Sequence, residues 1–212
     1  SHDVLGAYHN IDWSNIRDKY QDPGTKYAFK VLDEKITTGY LMKLAAFRHV
    51  QDLRRAETTN FSYHYDISEV DKILKFASIA PNVDTGKPTK LMDWQKFIFA
   101  MLFGWRDELN TKRFTRVVLS VARGQGKTYL MAIYMCYSFL IESMGLSNQD
   151  FLVTAENYDQ TGKLYGYINS MLKKIIEDQP VFATLAKEDE LVMHDHSGIT
   201  MRKFNNNLRP LS

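Results

Sequence analysis

The sequence predicts an α/β domain, a parallel sheet flanked by helices, behind a mostly helical N-terminal appendage. Three observations predict it. Apolar residues recur at helical spacing before Pro81, with no strand-like alternation. After Pro88, apolar runs of strand length alternate with amphipathic stretches of helix length, an order that implies a parallel sheet. Between two of these runs stands Val121-Ala-Arg-Gly-Gln-Gly-Lys-Thr128, a glycine-bearing segment at a strand-to-helix junction.

The elements follow in order. Residues 3–34 are mixed, with a turn expected at Asp22-Pro23-Gly24. Between Lys35 and Glu57 the apolar positions Ile36, Tyr40, Leu44 and Phe47 predict a helix ending at Arg54-Arg55. A second helix is expected after Ser68, with Asp71 completing a capping box. Its stripe is Val70, Ile73, Leu74 and Ala77, and Pro81 ends it. The loop 81–90, with Pro81, Gly86 and Pro88, is the best internal boundary, dividing an appendage at 3–85 from an α/β domain at 86–212. Asp93 caps a helix from Trp94 to about Phe103, with Phe97, Ile98, Met101 and Leu102 facing inward. A strand at 114–121 leads into the glycine-bearing loop, and a helix apolar on nearly every side runs from Lys127 to Ser143. A short strand follows at 151–154. Asn157 and Gln160 then cap a helix carrying Leu164, Ile168, Met171, Leu172 and Ile175. Strands at 190–194 and 199–204 form a hairpin about Asp195-His196-Ser197-Gly198.

Composition narrows the function classes. A chain of 212 residues with 44% hydrophobic and 13% aromatic residues buries a core. A formal charge of +2 makes no case by itself for nucleic-acid binding. The single Cys136 excludes an internal disulfide and reads as a buried, inert thiol. No stretch reaches the roughly 18 apolar residues of a membrane span. The opening Ser1-His2, without a Met, resembles a tag remnant and is excluded from fold reasoning.

The loop carries the chemistry. In the pattern G-x-x-x-x-G-K-[ST], backbone N–H groups wrap a triphosphate and the helix N-terminus adds partial positive charge. Gly124, Gln125 and Gly126 form the wrap, Lys127 reaches the β/γ-phosphates, and the Thr128 hydroxyl binds Mg²⁺. The segment thus reads as a P-loop of the NTPase kind, taking ATP and Mg. It departs from the pattern at Val121, where the first Gly stands, and carries Arg123 inside the loop. Upstream, the Gln95 amide can accept from adenine N6 while donating to N7, a match guanine cannot make. Alone, a Gln on an amphipathic helix is a solvated residue; ahead of a phosphate loop it becomes an adenine-recognition candidate.

Trp94-Gln95, then Leu102-Phe103-Gly104-Trp105, then Ala122-Arg123-Gly124-Gln125-Gly126-Lys127-Thr128 resembles the large subunit of tailed-bacteriophage terminases. The run Leu152-Val-Thr-Ala-Glu-Asn-Tyr-Asp-Gln160 is similar to the strand-to-helix segment that follows in those packaging ATPases. The resemblance covers residues 85–212 well and the upstream part more loosely. It implies an ATP-driven motor moving double-stranded viral DNA into a procapsid, in the host bacterial cytoplasm and off the membrane. The implied partners are the portal protein and the small terminase subunit. The motor is a ring, whereas the fragment alone is expected to be monomeric. In that family the first loop Gly is often replaced, which fits Val121, and a loop arginine contacts the γ-phosphate region. That role is carried to Arg123, and the adenine role to Gln95.

One departure bears on activity. Such ATPases need an Asp that holds Mg²⁺ through water and a Glu that polarises the attacking water. Phe151–Glu156 lacks the Asp, and in Leu191–Asp195 the Glu position is taken by His196. The family pattern places the acidic pair shortly beyond Ser212, so little or no turnover is expected of these residues alone. His194 and His196 read as turn residues rather than metal ligands. Arg48, Arg54 and Arg55 read as a solvated helix end, and Arg202 or Arg209 is a candidate for an arginine supplied in trans. Two other readings stay open: a helicase-like nucleic-acid translocase, and an assembly module in which residues 3–80 dock a portal or small-subunit partner.

Overall fold

The computed structural model describes residues 3–58 and 60–211. The chain divides into two compact units, Ser1–Lys75 with Leu91–Val118, and Phe76–Lys90 with Leu119–Ser212.

The first unit is helical. Its expected turn at Asp22-Pro23 is instead a helix start: Asp22 caps Pro23–Leu32, accepting from the Thr25 N–H at 3.0 Å. Proline suits the first helical position because its missing N–H would have no partner there. The next helix is Tyr40–Ala56, so Ile36 lies outside it, before the Gly39 N-cap. The helix Ile67–Ile79 also starts earlier than expected. Asp66 and not Ser68 serves it, accepting from both the N–H and the hydroxyl of Ser68 at 2.8 and 2.6 Å. In the helix Asp93–Gly104 the buried face is Phe97, Phe99, Ala100 and Phe103; Ile98, Met101 and Leu102 are half-buried. Two close approaches demand glycine. A Cβ at Gly24 would stand 2.4 Å from the Ala100 Cβ, and one at Gly104 would stand 2.5 Å from the Tyr65 ring. Beyond Gly104 the chain forms a strand the sequence did not suggest, Trp105–Asp107, antiparallel to Tyr63–Tyr65.

A buried polar chain locks this unit. The Trp105 indole Nε1 is 3.1 Å from His49 Nδ1 and can only donate, so Nδ1 is the acceptor. His49 Nε2 therefore carries the ring proton and donates to Thr25 Oγ1 at 2.9 Å. Thr25 in turn donates to Asp22 Oδ1 at 2.6 Å, and the Tyr65 hydroxyl donates to Asp22 Oδ2 at 2.8 Å. Two helices and both strands are joined by one run of hydrogen bonds.

The second unit holds a four-stranded sheet in the order Asp150–Val153, Asn206–Pro210, Gly198–Met201, Leu191–His194. The parallel sheet expected from the element order is therefore a mixed one. Only Asp150–Val153 and Asn206–Pro210 run parallel, because only they are joined through a long crossover. The other strands follow tight turns, which permit antiparallel pairing alone. The crossover includes the helix Tyr158–Asp178, capped as expected by Asn157 accepting from the Gln160 N–H at 3.0 Å. It also includes an unforeseen helix, Pro180–Glu188. The expected loop 81–90 contains a small hairpin pairing Pro81–Asn82 with Lys87–Pro88.

Two further expectations change. The helix opening at Lys127 is α-helical to Tyr137 and continues as a π-turn, Ser138–Glu142. Residues 114–121 form no strand: they join no ladder with any described residue, and Val118 is 95% exposed. Extended conformation without ladder hydrogen bonds is not a strand, however β-prone the residues.

The buried relay sets a pH dependence. Burial, aided by the Arg48 charge, lowers His49 from the ordinary imidazole range to about 3. The unfolded chain then binds the extra proton first as pH falls. Stability is full above about 6.5 and declines toward pH 3, by at most about 1.4 kcal/mol per unit. Urea unfolding between pH 7 and 4 should show this slope in the wild type, with a shallower one in His49→Asn.

Candidate functional site

The loop 121–128 enters the helix Lys127–Tyr137 through two glycines in the left-handed region, Gly124 at φ 82° and Gly126 at φ 76°. An L-residue side chain resists that conformation by about 1–2 kcal/mol, so glycine is the residue these positions require. Gly126 is the N-cap, and its carbonyl accepts from the Leu130 N–H at 3.0 Å. Val121 and Arg123 have ordinary negative φ. The position where the pattern has its first glycine thus imposes no left-handed backbone here, which is why valine fits.

Arg123, Gly124, Gln125, Lys127 and Thr128 are exposed, and Gly126 is half-buried. The Lys127 ammonium donates to the Val121 carbonyl at 2.8 Å, spanning the loop from its last residue to its first. Below the loop, Tyr129 is buried and fixes the helix's first turn. Its hydroxyl donates to the Ala80 carbonyl at 2.7 Å and accepts from the Thr89 N–H at 3.2 Å.

The loop fits a phosphate chain. A Cβ built on Gly124 would meet nothing within 4 Å, leaving open space over the backbone. The first N–H groups of the helix have no partner within it, and the helix dipole favours an anion there. Lys127 and Thr128 occupy its first two positions, one a cation and the other a hydroxyl suited to Mg²⁺. The open cleft of the second unit, about 330 Å³, is lined by Tyr158, Tyr165, His196 and Pro210 among others, and by none of residues 121–128.

The remaining candidates fall into place individually. Gln95 is buried and its Oε1 accepts from the Met92 N–H at 2.9 Å, closing the start of its helix. Asp195 and His196 lie in the hairpin turn that the sequence suggested. Asp195 pairs with Lys173 at 2.6 Å, which holds its carboxyl below the usual range. Glu156 is exposed, three residues past the end of its strand. Arg209 pairs with Asp150 at 3.1 Å, while Arg202 is exposed at the turn into the last strand. Arg48 lies over the Phe114 ring, Arg54 over Trp13, and Arg55 pairs with Asp52. Cys136 is buried, and burial pushes its thiol pKa up, out of the reactive range. Sequence reasoning missed Tyr129. No local signal set it apart, since Tyr134 and Tyr137 lie in the same helix.

A glycine-bearing loop opening a helix thus stands on an α/β unit. The family model for the terminase large subunit, ATPase domain, matches residues 93–212, more than half of the chain, and the chain belongs to that family. Among solved structures, the crystal structure of the HK97 bacteriophage large terminase is 18% identical with a TM-score of 0.49, covering 68% of this chain and 27% of that one. The chain therefore spans about a quarter of that protein's length. No curated protein matches it.

Asp195→Ala removes an exposed ion pair from a turn. It should change unfolding free energy by less than about 1 kcal/mol and leave Mg-nucleotide affinity unaltered. Chemical denaturation and calorimetry check both.

Proposed function

We propose that the chain is the ATP-binding part of a viral DNA-packaging motor, a P-loop ATPase unit with a helical N-terminal appendage. In the intact protein, Mg-ATP hydrolysis would be coupled to movement of double-stranded DNA into the procapsid. The observation that carries this reading is the loop's geometry in a chain of the terminase ATPase family: left-handed Gly124 and Gly126, with open space over Gly124, leading into a helix N-terminus with Lys127 and Thr128.

Each residue has a role in it. N–H groups of Gly124, Gln125 and Gly126 bind phosphate oxygens, and Lys127 leaves the Val121 carbonyl for the β/γ-phosphates. Arg123, exposed on the loop, contacts the γ-phosphate region, and Thr128 supplies a hydroxyl to Mg²⁺. Gln95 would read adenine through its side-chain amide. The ion supplies charge neutralisation at the phosphates when bound. Asp195 is paired to Lys173 in a turn, and His196 follows it where a water-polarising Glu would stand. Little or no turnover is expected of this chain alone. In the host cytoplasm the intact protein would work as a ring, with the portal protein and small terminase subunit as partners.

Calorimetric titration with Mg-ATP tests the assignment. Lys127→Ala should weaken binding by at least about tenfold, the loss of one charge-assisted contact. Unchanged affinity in that variant would remove the loop from the site. Gln95→Ala should cost ATP more than it costs GTP; equal losses would refute the adenine role.

A further inference from the structure

The hairpin Pro81–Asn82/Lys87–Pro88 has no part in the chemistry above, yet one side chain fastens it to the phosphate-loop helix. Tyr129 is the third residue of that helix, directly after Lys127 and Thr128. Its hydroxyl bonds Ala80, the residue before the hairpin's first strand, and Thr89, the residue after its second. The Thr89 carbonyl also lies 3.4 Å away. Both ends of the hairpin are thus held at one oxygen atom. At its turn, Asp84, Thr85 and Gly86 are exposed; the Gly86 N–H returns to the Asn82 carbonyl at 2.8 Å, and Asn82 Oδ1 accepts from the Tyr167 hydroxyl at 3.3 Å.

We propose that this hairpin is a nucleotide-responsive element, and that Tyr129 is the positioning residue that couples it to the phosphate loop. The proposal rests on nucleotide binding at residues 121–128. A ligand that orders the loop also orders the first turn of the helix, and the Tyr129 ring, buried at 5% exposure, moves with that turn. A shift of the ring strains or tightens the hydrogen bonds at both ends of the hairpin together. The Tyr129 hydroxyl donates to the Ala80 carbonyl and accepts from the Thr89 N–H, so replacing it with Phe leaves two backbone groups without this partner. Coupling free energy is reciprocal: a nucleotide that steadies the hairpin binds more tightly when a protein seated on the exposed turn steadies it first. A partner on that turn can therefore set nucleotide affinity without reaching the loop.

Hydrogen exchange with and without Mg-ADP tests this, alongside calorimetry on the same samples. In the wild type, Mg-ADP should slow exchange at the Thr89 and Gly86 amides by about fivefold or more. In Tyr129→Phe, Mg-ADP should still bind, but the slowing at these amides should vanish. Thr89→Pro, which removes the donor from the hairpin's side, should abolish the slowing at Gly86 while leaving Tyr129 in place. Tyr167→Phe, which removes the bond to Asn82 and leaves the Tyr129 bonds to Ala80 and Thr89 in place, should keep the slowing at Thr89. Slowing that survives in both Tyr129→Phe and Thr89→Pro would overturn the coupling, as would its absence from a wild type that binds Mg-ADP. If wild type and Lys127→Ala both fail to bind Mg-ADP, the nucleotide reading fails, and the coupling with it.

Discussion

The first turn of any α-helix leaves backbone N–H groups with no partner inside the helix, and the site here is built on that deficit. At Gly126 the chain must pass through the left-handed region to bring those donors to the surface, and Gly124 repeats the requirement two residues earlier. Everything else about the loop follows from having to hold donors outward without a side chain in front of them. Arg123 and Val121 are tolerated because their backbone is ordinary. Lys127 returns to the Val121 carbonyl because an ammonium beside a helix N-terminus is repelled by the dipole and gains by donating to a nearby carbonyl.

Such a loop needs a fixed platform. Tyr129 provides it on one side, through a hydroxyl that serves two backbone groups on separate stretches of chain. The helix beyond is closely packed, with Ala132, Ile133, Cys136, Phe139 and Leu140 fully buried. The first unit solves its own packing differently, by running a hydrogen-bonded chain through its interior from Trp105 to Asp22. Each group in that chain is satisfied by the next, so a histidine and a carboxylate stand in an apolar interior without an opposing charge.

Much of this was legible in the sequence where a local rule has a single physical outcome. Asn157 and Gln160 predicted a cap, and the cap is there. The Asp195–Gly198 turn predicted a hairpin for the same reason, since few other backbones suit those residues. What stayed hidden depended on distant partners. The strand Asn206–Pro210 was not suggested by the sequence; the Asn206 side chain accepts from the Gln149 N–H and donates to the Leu146 carbonyl. Conversely, 114–121 has strand composition, but composition cannot supply a neighbour to pair with. Asp22-Pro23 looked like a turn and is a helix start, two uses of the same φ restriction. Spacing alone singles out Lys127 and Thr128 as candidates, and they open the helix as that spacing predicts. Tyr129 could not be singled out so, because its role lies in Ala80 and Thr89, some forty residues away.

We propose that the N–H groups of Gly124, Gln125 and Gly126 form the phosphate cradle. Amide chemical shifts followed by NMR during titration with Mg-ATP address it directly. The account predicts that the largest changes cluster at Arg123 to Thr128, in step with loss of the Lys127 contact to Val121. Changes centred instead on the cleft around Tyr158 and Tyr165, with the loop amides unmoved, would contradict it.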